Sequence, residues 1–269
     1  MAGRRSTGKL PPVWSAREKA SAGRLDRMLI AGLDAFEGLS ADDLDYVLSH
    51  ARMRRCEKNE IIFEEGAQAD AFFVLLDGHV KAFQTTPEGQ QVVLRFVIPG
   101  EIFGFAAAIG LREYPGTAIT LTESVVLTWD QTLWHALVSR CPRITQNVLR
   151  TVGHRLIEQQ TRVREMATQR AESRIAHVLL RFAKETGNKV AGGVEIAFPI
   201  TRQDLAEMTG TALFTVSRAI SAWDKAGILE GGRQYILLKD IEGLRQVAGD
   251  AVASAAAHSA AHAGSRSEN

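Results

Sequence analysis

A seven-residue repeat in the second half of the chain constrains its fold more than any other feature. Mostly apolar side chains step by four and three residues along one predicted helix of roughly 25 residues, and they are Thr145, Leu149, Val152, Leu156, Gln159, Val163 and Met166. This spacing places a stripe along one side of a helix, and such helices usually pair with a second helix. We expect a dimer of two copies of the chain, with the contact made by Leu149, Val152, Leu156, Val163 and Met166. The alternative is that the stripe packs against the chain's own neighbouring domain.

The segment before this helix has a different pattern. From about Met53 to Trp129, short β-branched and aromatic runs are separated by turns that contain glycine, and the runs are Ile61–Phe63, Phe72–Leu76, Val92–Ile98 and Val125–Trp129. Many short strands at regular spacing predict a sandwich or a barrel. Asp77-Gly78, between two apolar runs, predicts a hairpin, because both central residues of the favoured two-residue turn need a positive φ. One acidic helix is expected earlier in the chain, over Asp34–Ser49.

The composition excludes several classes of protein. Two cysteines in 269 residues, Cys56 and Cys141, are too few for a disulfide scaffold or a four-thiolate metal or iron–sulfur site. Apolar runs fall well short of the roughly 20 residues that a membrane-spanning helix needs. The net charge of +1 neither indicates nor excludes a nucleic-acid partner. We therefore expect a reduced, cytoplasmic protein with no membrane partner.

The most informative segment lies towards the C-terminal end. Thr201 is a good helix N-cap, and Asp204, three residues later, completes a pattern like a capping box. Gly210 follows this short helix where it must stop. Thr211 is expected to cap a second helix that runs through Lys225. Two helices joined by a short turn that contains glycine are typical of a helix-turn-helix.

The second helix of this pair has two chemically different faces. The inner face carries Val216, Ala219, Ile220 and Trp223, which we expect in the core; the outer face carries Phe214, Ser217, Arg218 and Ser221. Small and hydroxylated side chains let a helix approach DNA, and an arginine can bind a phosphate or a guanine edge. The runs 228–230 and 234–238 predict a two-stranded wing after it. The alternative is an ordinary helical domain without a nucleic-acid partner.

From about residue 34 to residue 240 the sequence resembles the Crp/Fnr family of bacterial transcription regulators. The most specific matches are residues 201–210 and Thr215–Arg218, and the run Pro99–Phe105 agrees. The resemblance implies an α+β fold with an N-terminal β-roll like a cyclic-nucleotide-binding domain, a long dimerisation helix and a C-terminal winged helix-turn-helix. It implies a homodimer on a two-fold symmetric site in double-stranded DNA. It also implies RNA polymerase as a partner, control by a small-molecule or gaseous effector, and no enzymatic activity.

Domain bounds follow from this reading. We expect a flexible arm over 1–30, an effector-sensing β-roll domain over 31–140, a dimerisation helix over 141–168, a winged helix-turn-helix DNA-binding domain over 169–245 and a low-complexity tail over 246–269.

Carried over by position, the resemblance implies a set of DNA contacts. Arg202, Gln203, Ala212 and Thr215 match positions that contact the DNA backbone, Arg218 matches the arginine that helps to read the half-site, and Phe214, Ser217, Ser221, Thr211 and Arg233 complete the predicted interface. The sequence departs from the family at Leu213-Phe214, where members often carry glutamate. Neither side chain can form a hydrogen bond with a base, although an apolar contact with a thymine methyl group is available. We expect Leu213 to pack inward and Phe214 to touch DNA.

The effector is less well defined by the sequence. The predicted pocket residues are Phe103, Gly104, Phe105 and Thr117. Members that bind cyclic nucleotides hold ribose and phosphate with a glutamate and an Arg-Ser pair, and the matching positions here are Phe105 and Gly116-Thr117. Cyclic AMP is therefore disfavoured, because its phosphate would lose a charge-assisted hydrogen bond unless Arg112 replaced it.

Two other sensing chemistries occur in the family. Iron–sulfur members need an N-terminal cysteine cluster, and this chain has no cysteine before Cys56. The runs 208–211, 215–218 and 221–223 are most similar to the nitrogen-oxide-responsive branch, which is thought to use haem. Under that hypothesis the candidate axial ligands are His50, His79 and His135. A rival from another class is a cupin-like metal enzyme around Glu101 and His79, but the His-x-His spacing and other catalytic motifs are missing, so no metal site is predicted.

Overall fold

The structure is a computed structural model that describes residues 30–249. The predicted N-terminal arm and most of the predicted tail lie outside the described residues. The strands are β1 Arg52–Cys56, β2 Ile61–Phe63, β3 Ala71–Asp77, β4 Val80–Thr85, β5 Gln91–Val97, β6 Ile102–Phe103, β7 Thr117–Thr120, β8 Ser124–Asp130, β9 Gly187–Val190, β10 Gly193–Ile196, β11 Leu229–Gly231 and β12 Ile236–Leu238. The α-helices are α1 Ala41–Ser49, α2 Trp134–Arg140, α3 Pro142–Thr168, α4 Ala171–Thr186, α5 Arg202–Thr209, α6 Leu213–Lys225 and α7 Ile241–Ala248.

Two four-stranded antiparallel sheets face each other in the N-terminal half. Their strand orders are β1-β8-β3-β6 and β2-β7-β4-β5. The space between them is filled by apolar side chains such as Leu75, Val80, Val97 and Val126, all fully buried. The alternation of inward and outward side chains along each strand puts these residues in one core. The β-roll and the mixed α+β fold class predicted from the sequence are confirmed.

The hairpin predicted at Asp77-Gly78 is wrong. Strand β3 pairs with β6 and β8, whereas β4 pairs with β5 and β7, so the chain crosses here from one sheet to the other. Gly78 does have a positive φ of 86°. The reason is a close approach, since a Cβ on Gly78 would lie 2.5 Å from the carbonyl oxygen of Glu123. Glycine at this position therefore marks a crossing between sheets and not a two-residue turn.

Helices α1 and α2 and the start of α3 cover the outer face of the first sheet. The ring of Trp129 stacks on Phe72 at 5.4 Å between centroids, and its indole nitrogen donates to the carbonyl oxygen of Val47 at 2.9 Å. The single acidic helix predicted over 34–49 is instead a 3-10 turn, Asp34–Phe36, followed by α1. The break has a local cause, because Ser40 caps α1 by accepting a hydrogen bond from the backbone N–H of Asp43.

The long helix predicted from the seven-residue repeat is present as α3. Asn147 anchors its start, with its amide nitrogen donating to the carbonyl oxygens of Ala35 and Glu37. On the side away from the β-roll, Leu149, Leu156 and Val163 are exposed, and Ile157 beside them is exposed as well. The alternative, in which this stripe packs on the chain's own β domain, does not hold for these residues, but it does hold for Val152, which is half-buried against the core around Trp129. Dimerisation through the stripe remains a prediction.

The C-terminal unit packs helices α4 to α7 around one core. Its centre consists of fully buried residues from six elements, namely Ile175, Leu179, Leu205, Val216, Ile220, Leu229, Leu238 and Leu244. The predicted wing is β11 and β12, and the structure adds the hairpin β9–β10 to give a sheet of order β11-β12-β10-β9. No helix among residues 30–249 is long and apolar enough to cross a membrane.

Candidate nucleic-acid interface

The first helix of the pair, α5, begins with the predicted capping box. Thr201 Oγ1 accepts a hydrogen bond from the backbone N–H of Asp204 at 3.0 Å, and the Asp204 carboxylate accepts from the backbone N–H of Thr201 at 3.0 Å. These bonds satisfy backbone donors that a helix start leaves without partners. Gly210 ends the helix in the left-handed region, with a φ of 59°, which a residue with a side chain rarely adopts. The turn that directs α6 is therefore encoded locally.

The start of α6 differs from the sequence expectation. The N-cap is Ala212, whose side chain makes no capping hydrogen bond, and not Thr211. The hydroxyl of Thr211 lies 3.0 Å from that of Thr209, so it is used within the turn. The first backbone N–H groups of α6 are consequently not covered by a side-chain cap. Such groups favour anions, including DNA phosphates.

The two faces of α6 are arranged as predicted, with one exception. Val216, Ala219, Ile220 and Trp223 are buried in the core; Phe214, Arg218 and Ser221 are exposed, and Ser217 is half-buried. Phe214 exposes 73% of its surface. The exception is Leu213, which was expected to pack inward but is 47% exposed, because the first turn of α6 projects beyond the core. The outer face of α6 is thus an apolar and hydroxylated surface that the described chain leaves open.

Basic side chains surround this face without acidic partners. Arg218 is exposed on α6, Arg233 is exposed in the wing turn, and Arg202 is half-buried at the start of α5. Within residues 30–249, none of the three forms an ion pair with a carboxylate. Gln203 is exposed and donates to the side chain of Glu207. Thr215 is half-buried on the first turn of α6. The guanidinium groups are therefore available for phosphate or base contacts.

The helix-turn-helix unit is docked on the β-roll on its other side. Phe96 of β5 packs against Phe182 and Phe198 at 5.3 and 4.8 Å between ring centroids. Lys81 of β4 forms an ion pair with Asp204 at 3.0 Å, and both side chains are largely buried. Because Asp204 also closes the capping box, the same carboxylate joins the start of α5 to the β-roll. These contacts fix the helix-turn-helix unit to β4 and β5 of the β-roll.

The predicted effector residues do not surround one cavity. Phe103 is buried between the two sheets, whereas Phe105 is buried on the outer face of the first sheet. Gly104 sits between them against the ring of Phe73. Thr117 accepts a hydrogen bond from the backbone N–H of Glu65. A side chain at Gly116 would place its Cβ 2.8 Å from the carbonyl oxygen of Phe83. An arginine could therefore occupy this position only if the backbone moved.

A cleft of about 260 Å³ lies elsewhere, between β5, α3 and α4. It is lined by five arginines, Arg95, Arg150, Arg155, Arg162 and Arg181, and by four carboxyl groups, Asp34, Glu101, Glu158 and Glu185. Sequence reasoning missed this cleft because its charged residues come from four separate segments. Met208 of α5 also lines it, so the cleft touches both β5 of the β-roll and the helix-turn-helix unit.

The cysteines and acidic residues of the described chain offer neither a reactive thiol nor a metal site. Burial raises the pKa of both Cys56 and Cys141 to about 11, so these thiols stay protonated and unreactive near neutral pH. No group of three metal-ligating side chains occurs between residues 30 and 249. Glu101, which a metal enzyme would need as a ligand, instead pairs with Arg95 at 3.0 Å.

Comparisons with known proteins agree with this architecture. Residues 53–141 match the cyclic nucleotide-binding domain, and residues 173–247 match the Crp-like helix-turn-helix domain. The cyclic AMP receptor protein of Thermus thermophilus is 26% identical over 217 residues, which cover 81% of this chain and 97% of that protein. Electron transport regulator A of Shewanella oneidensis is 25% identical over 210 residues, covering 78% and 83% of the two chains. The structure of FixK2 from Bradyrhizobium japonicum superposes with a TM-score of 0.65 at 22% identity, over 73% of this chain and 96% of that one.

Proposed function

Because the chain belongs to the CRP/FNR family of DNA-binding transcription regulators, we propose that it binds a two-fold symmetric operator as a homodimer, under effector control. Two copies joined along α3 present two α6 helices, one to each half-site. RNA polymerase is the proposed downstream partner, and the cytoplasm, where the DNA lies, is the proposed location. The family consists of regulators and not of enzymes, which argues against the hypothesis of a cupin-like metal enzyme.

One observation carries this proposal. The outer face of α6 is open while its opposite face is buried in the core, and around it lie three arginines that form no ion pair with a carboxylate of residues 30–249. We assign base reading to Arg218, with Phe214, Ser217 and Ser221 beside it. Backbone contacts are assigned to Arg202, Gln203, Thr211, Ala212, Thr215 and Arg233. This division follows the usual separation between contacts that position a protein on DNA and contacts that specify sequence.

Selection of DNA from a random duplex pool tests the proposal directly. The purified full chain should enrich an inverted repeat whose half-site centres lie about 10–10.5 base pairs apart, one turn of the double helix. The spacing is expected because both recognition helices must enter the major groove on one side of the duplex. Enrichment of no sequence, or of a single unrepeated half-site, would contradict a symmetric dimer on DNA.

Cyclic AMP is not the proposed effector, although relatives of this chain are named for it. Phe105 stands where cyclic-nucleotide-binding members carry glutamate, and it is buried beneath the guanidinium of Arg155 at 4.9 Å. Gly116 stands where they carry the phosphate-binding arginine, and its Cβ position is blocked by backbone. The site therefore lacks both partners of the ribose and the phosphate.

Isothermal titration of the full chain with cyclic AMP should accordingly show no binding in the micromolar range. Loss of one charge-assisted hydrogen bond typically costs about 1.5–3 kcal/mol, and two are missing here. The Thermus thermophilus cyclic AMP receptor protein is the positive control under the same conditions. Micromolar binding would show that another residue, such as Arg112, holds the phosphate.

The three histidines predicted as candidate haem ligands make other contacts or lie exposed. His79 packs its ring on Phe198 at 5.1 Å between centroids, and burial lowers its pKa. His50 uses Nδ1 on the carbonyl oxygen of Tyr46, and His135 is exposed on α2. None of these three histidines lines the cleft found within residues 30–249.

A further inference from the structure

The first turn of α6 presents two large apolar side chains to solvent. Among residues 30–249, no large apolar side chain is more exposed than that of Phe214, and Leu213 next to it is exposed as well. Neither side chain belongs to the core that holds the inner face of α6. Apolar surface in water does not stabilise the fold, so a contact that buries this pair comes from outside the described residues.

The charge around the pair favours DNA as the partner that covers it. Arg218 lies one helical turn after Phe214 on the same face of α6, and Arg202 and Arg233 border the same surface. None of the three arginines pairs with a carboxylate of the described chain, so their positive charge is available to phosphates. In a helix-turn-helix the N-terminal residues of the second helix contact base edges. Here those residues are Leu213 and Phe214.

The chemistry of the major groove offers one group that suits such a pair. Base edges present hydrogen-bond donors and acceptors there, and the exception is the C5-methyl group of thymine. An apolar ring over a carbonyl or amino edge would displace water without replacing its hydrogen bond, which is unfavourable. The same ring over a methyl group buries apolar surface on both partners. The pair therefore favours a methylated pyrimidine and disfavours the other edges.

We propose that Phe214, flanked by Leu213, recognises the C5-methyl group of one pyrimidine in each half-site of the operator. The contact selects thymine over cytosine without a hydrogen bond, and it accepts 5-methylcytosine, which carries a methyl group on the same ring carbon. This inference rests on the proposed function and deepens it, because it names the chemical group that the start of α6 binds.

Helix geometry limits where the methyl group lies in the half-site. Phe214 and Arg218 are four residues apart, so they are separated by about 6 Å along the axis of α6. Stacked bases are about 3.4 Å apart along one strand. The methylated pyrimidine should therefore lie within about two base pairs of the group that Arg218 contacts.

Replacing single thymines of the selected operator with uracil tests the contact, because uracil lacks only the methyl group. Fluorescence anisotropy with the full chain should show binding about fourfold weaker for one thymine of a half-site, as expected for one buried methyl group. Changing that thymine in both half-sites should weaken binding about fifteenfold, since the two contacts are independent. Uracil in place of thymines between the half-sites is the control and should have no effect.

Cytosine methylation at the sensitive position gives a second test that needs no variant. With a cytosine·guanine pair there, the operator containing 5-methylcytosine should bind about fourfold more tightly than the unmethylated operator. The two duplexes differ only in the methyl group, so the comparison separates recognition of that group from other differences between base pairs.

A substitution then assigns the contact to its residue. In Phe214→Ala, replacing the sensitive thymine with uracil should change affinity less than twofold, because the methyl group has lost its partner. Ile109→Ala is the matched control: it removes an exposed apolar side chain from the β-roll and should keep the fourfold effect. Both positions are exposed, so neither substitution disturbs a core.

The outcomes that overturn the inference are distinct from failure of the proposed function. Three results would overturn it while an operator is still selected: no half-site thymine sensitive to uracil, no gain from 5-methylcytosine, or an undiminished uracil effect in Phe214→Ala. Selection of no operator at all would overturn both proposals together.

Discussion

Leu156→Lys should convert the dimer into a monomer. Leu156 exposes 58% of its surface in the described chain and lies in the middle of the exposed stripe with Leu149, Ile157 and Val163. At a two-fold interface the substitution removes two leucines and places two ammonium groups near each other. Burial of one leucine contributes about 2 kcal/mol, so the pair alone corresponds to about a thousandfold in the dimer dissociation constant.

Light scattering after size-exclusion chromatography measures this effect, and operator affinity should fall with it because two half-sites are no longer bound together. Thr168→Lys is the matched control. It adds the same charge to an exposed position of α3, about a third of a turn around the helix from Leu156. A Leu156→Lys protein that remains dimeric at micromolar concentration would place the interface elsewhere and would leave the seven-residue repeat without a role.

The parts of the fold that depend on local chemistry could be predicted from the sequence. The capping box of Thr201 and Asp204 and the stop at Gly210 involve residues within one turn of each other, so their geometry follows from a few neighbouring side chains. The inner face of α6 follows from helical periodicity. These elements also carry the resemblance to the family, which explains why the DNA-binding unit was the best predicted part of the chain.

Features that depend on distant segments could not be predicted in this way. Gly78 has the positive φ expected of a hairpin glycine, but its cause is the backbone near Glu123, about 45 residues later. Leu213 is apolar and was expected in the core, yet it lies in the first turn of α6, which projects beyond the core. The cleft is lined by Arg95 of β5 and by Arg155 and Arg162 of α3, which are far apart in the sequence. Neither the periodicity nor the spacing of these residues predicts that they line one cavity.

Arg218→Ala should lower affinity for the selected operator by about 1–3 kcal/mol at each half-site, which is at least about fivefold per half-site. Arg218 is exposed on α6, has no carboxylate partner in the described chain, and lies on the same face as Phe214 and Ser221. A guanidinium in this position can donate two hydrogen bonds to a guanine edge. Gel-shift titrations on the selected operator and on an unrelated duplex measure the loss and its sequence dependence.

The two titrations also separate the two roles open to Arg218. If it reads a base, the substitution weakens binding to the operator, leaves binding to the unrelated duplex nearly unchanged and alters selection at one position of each half-site. If it binds a phosphate, both duplexes lose affinity equally and the salt dependence becomes shallower by about one for each arginine removed. Lys225→Ala removes a charge from the far end of the same helix, so it controls for net charge. Unchanged affinity on both duplexes would exclude Arg218 from the interface and would leave recognition to the apolar contact that Phe214 can make.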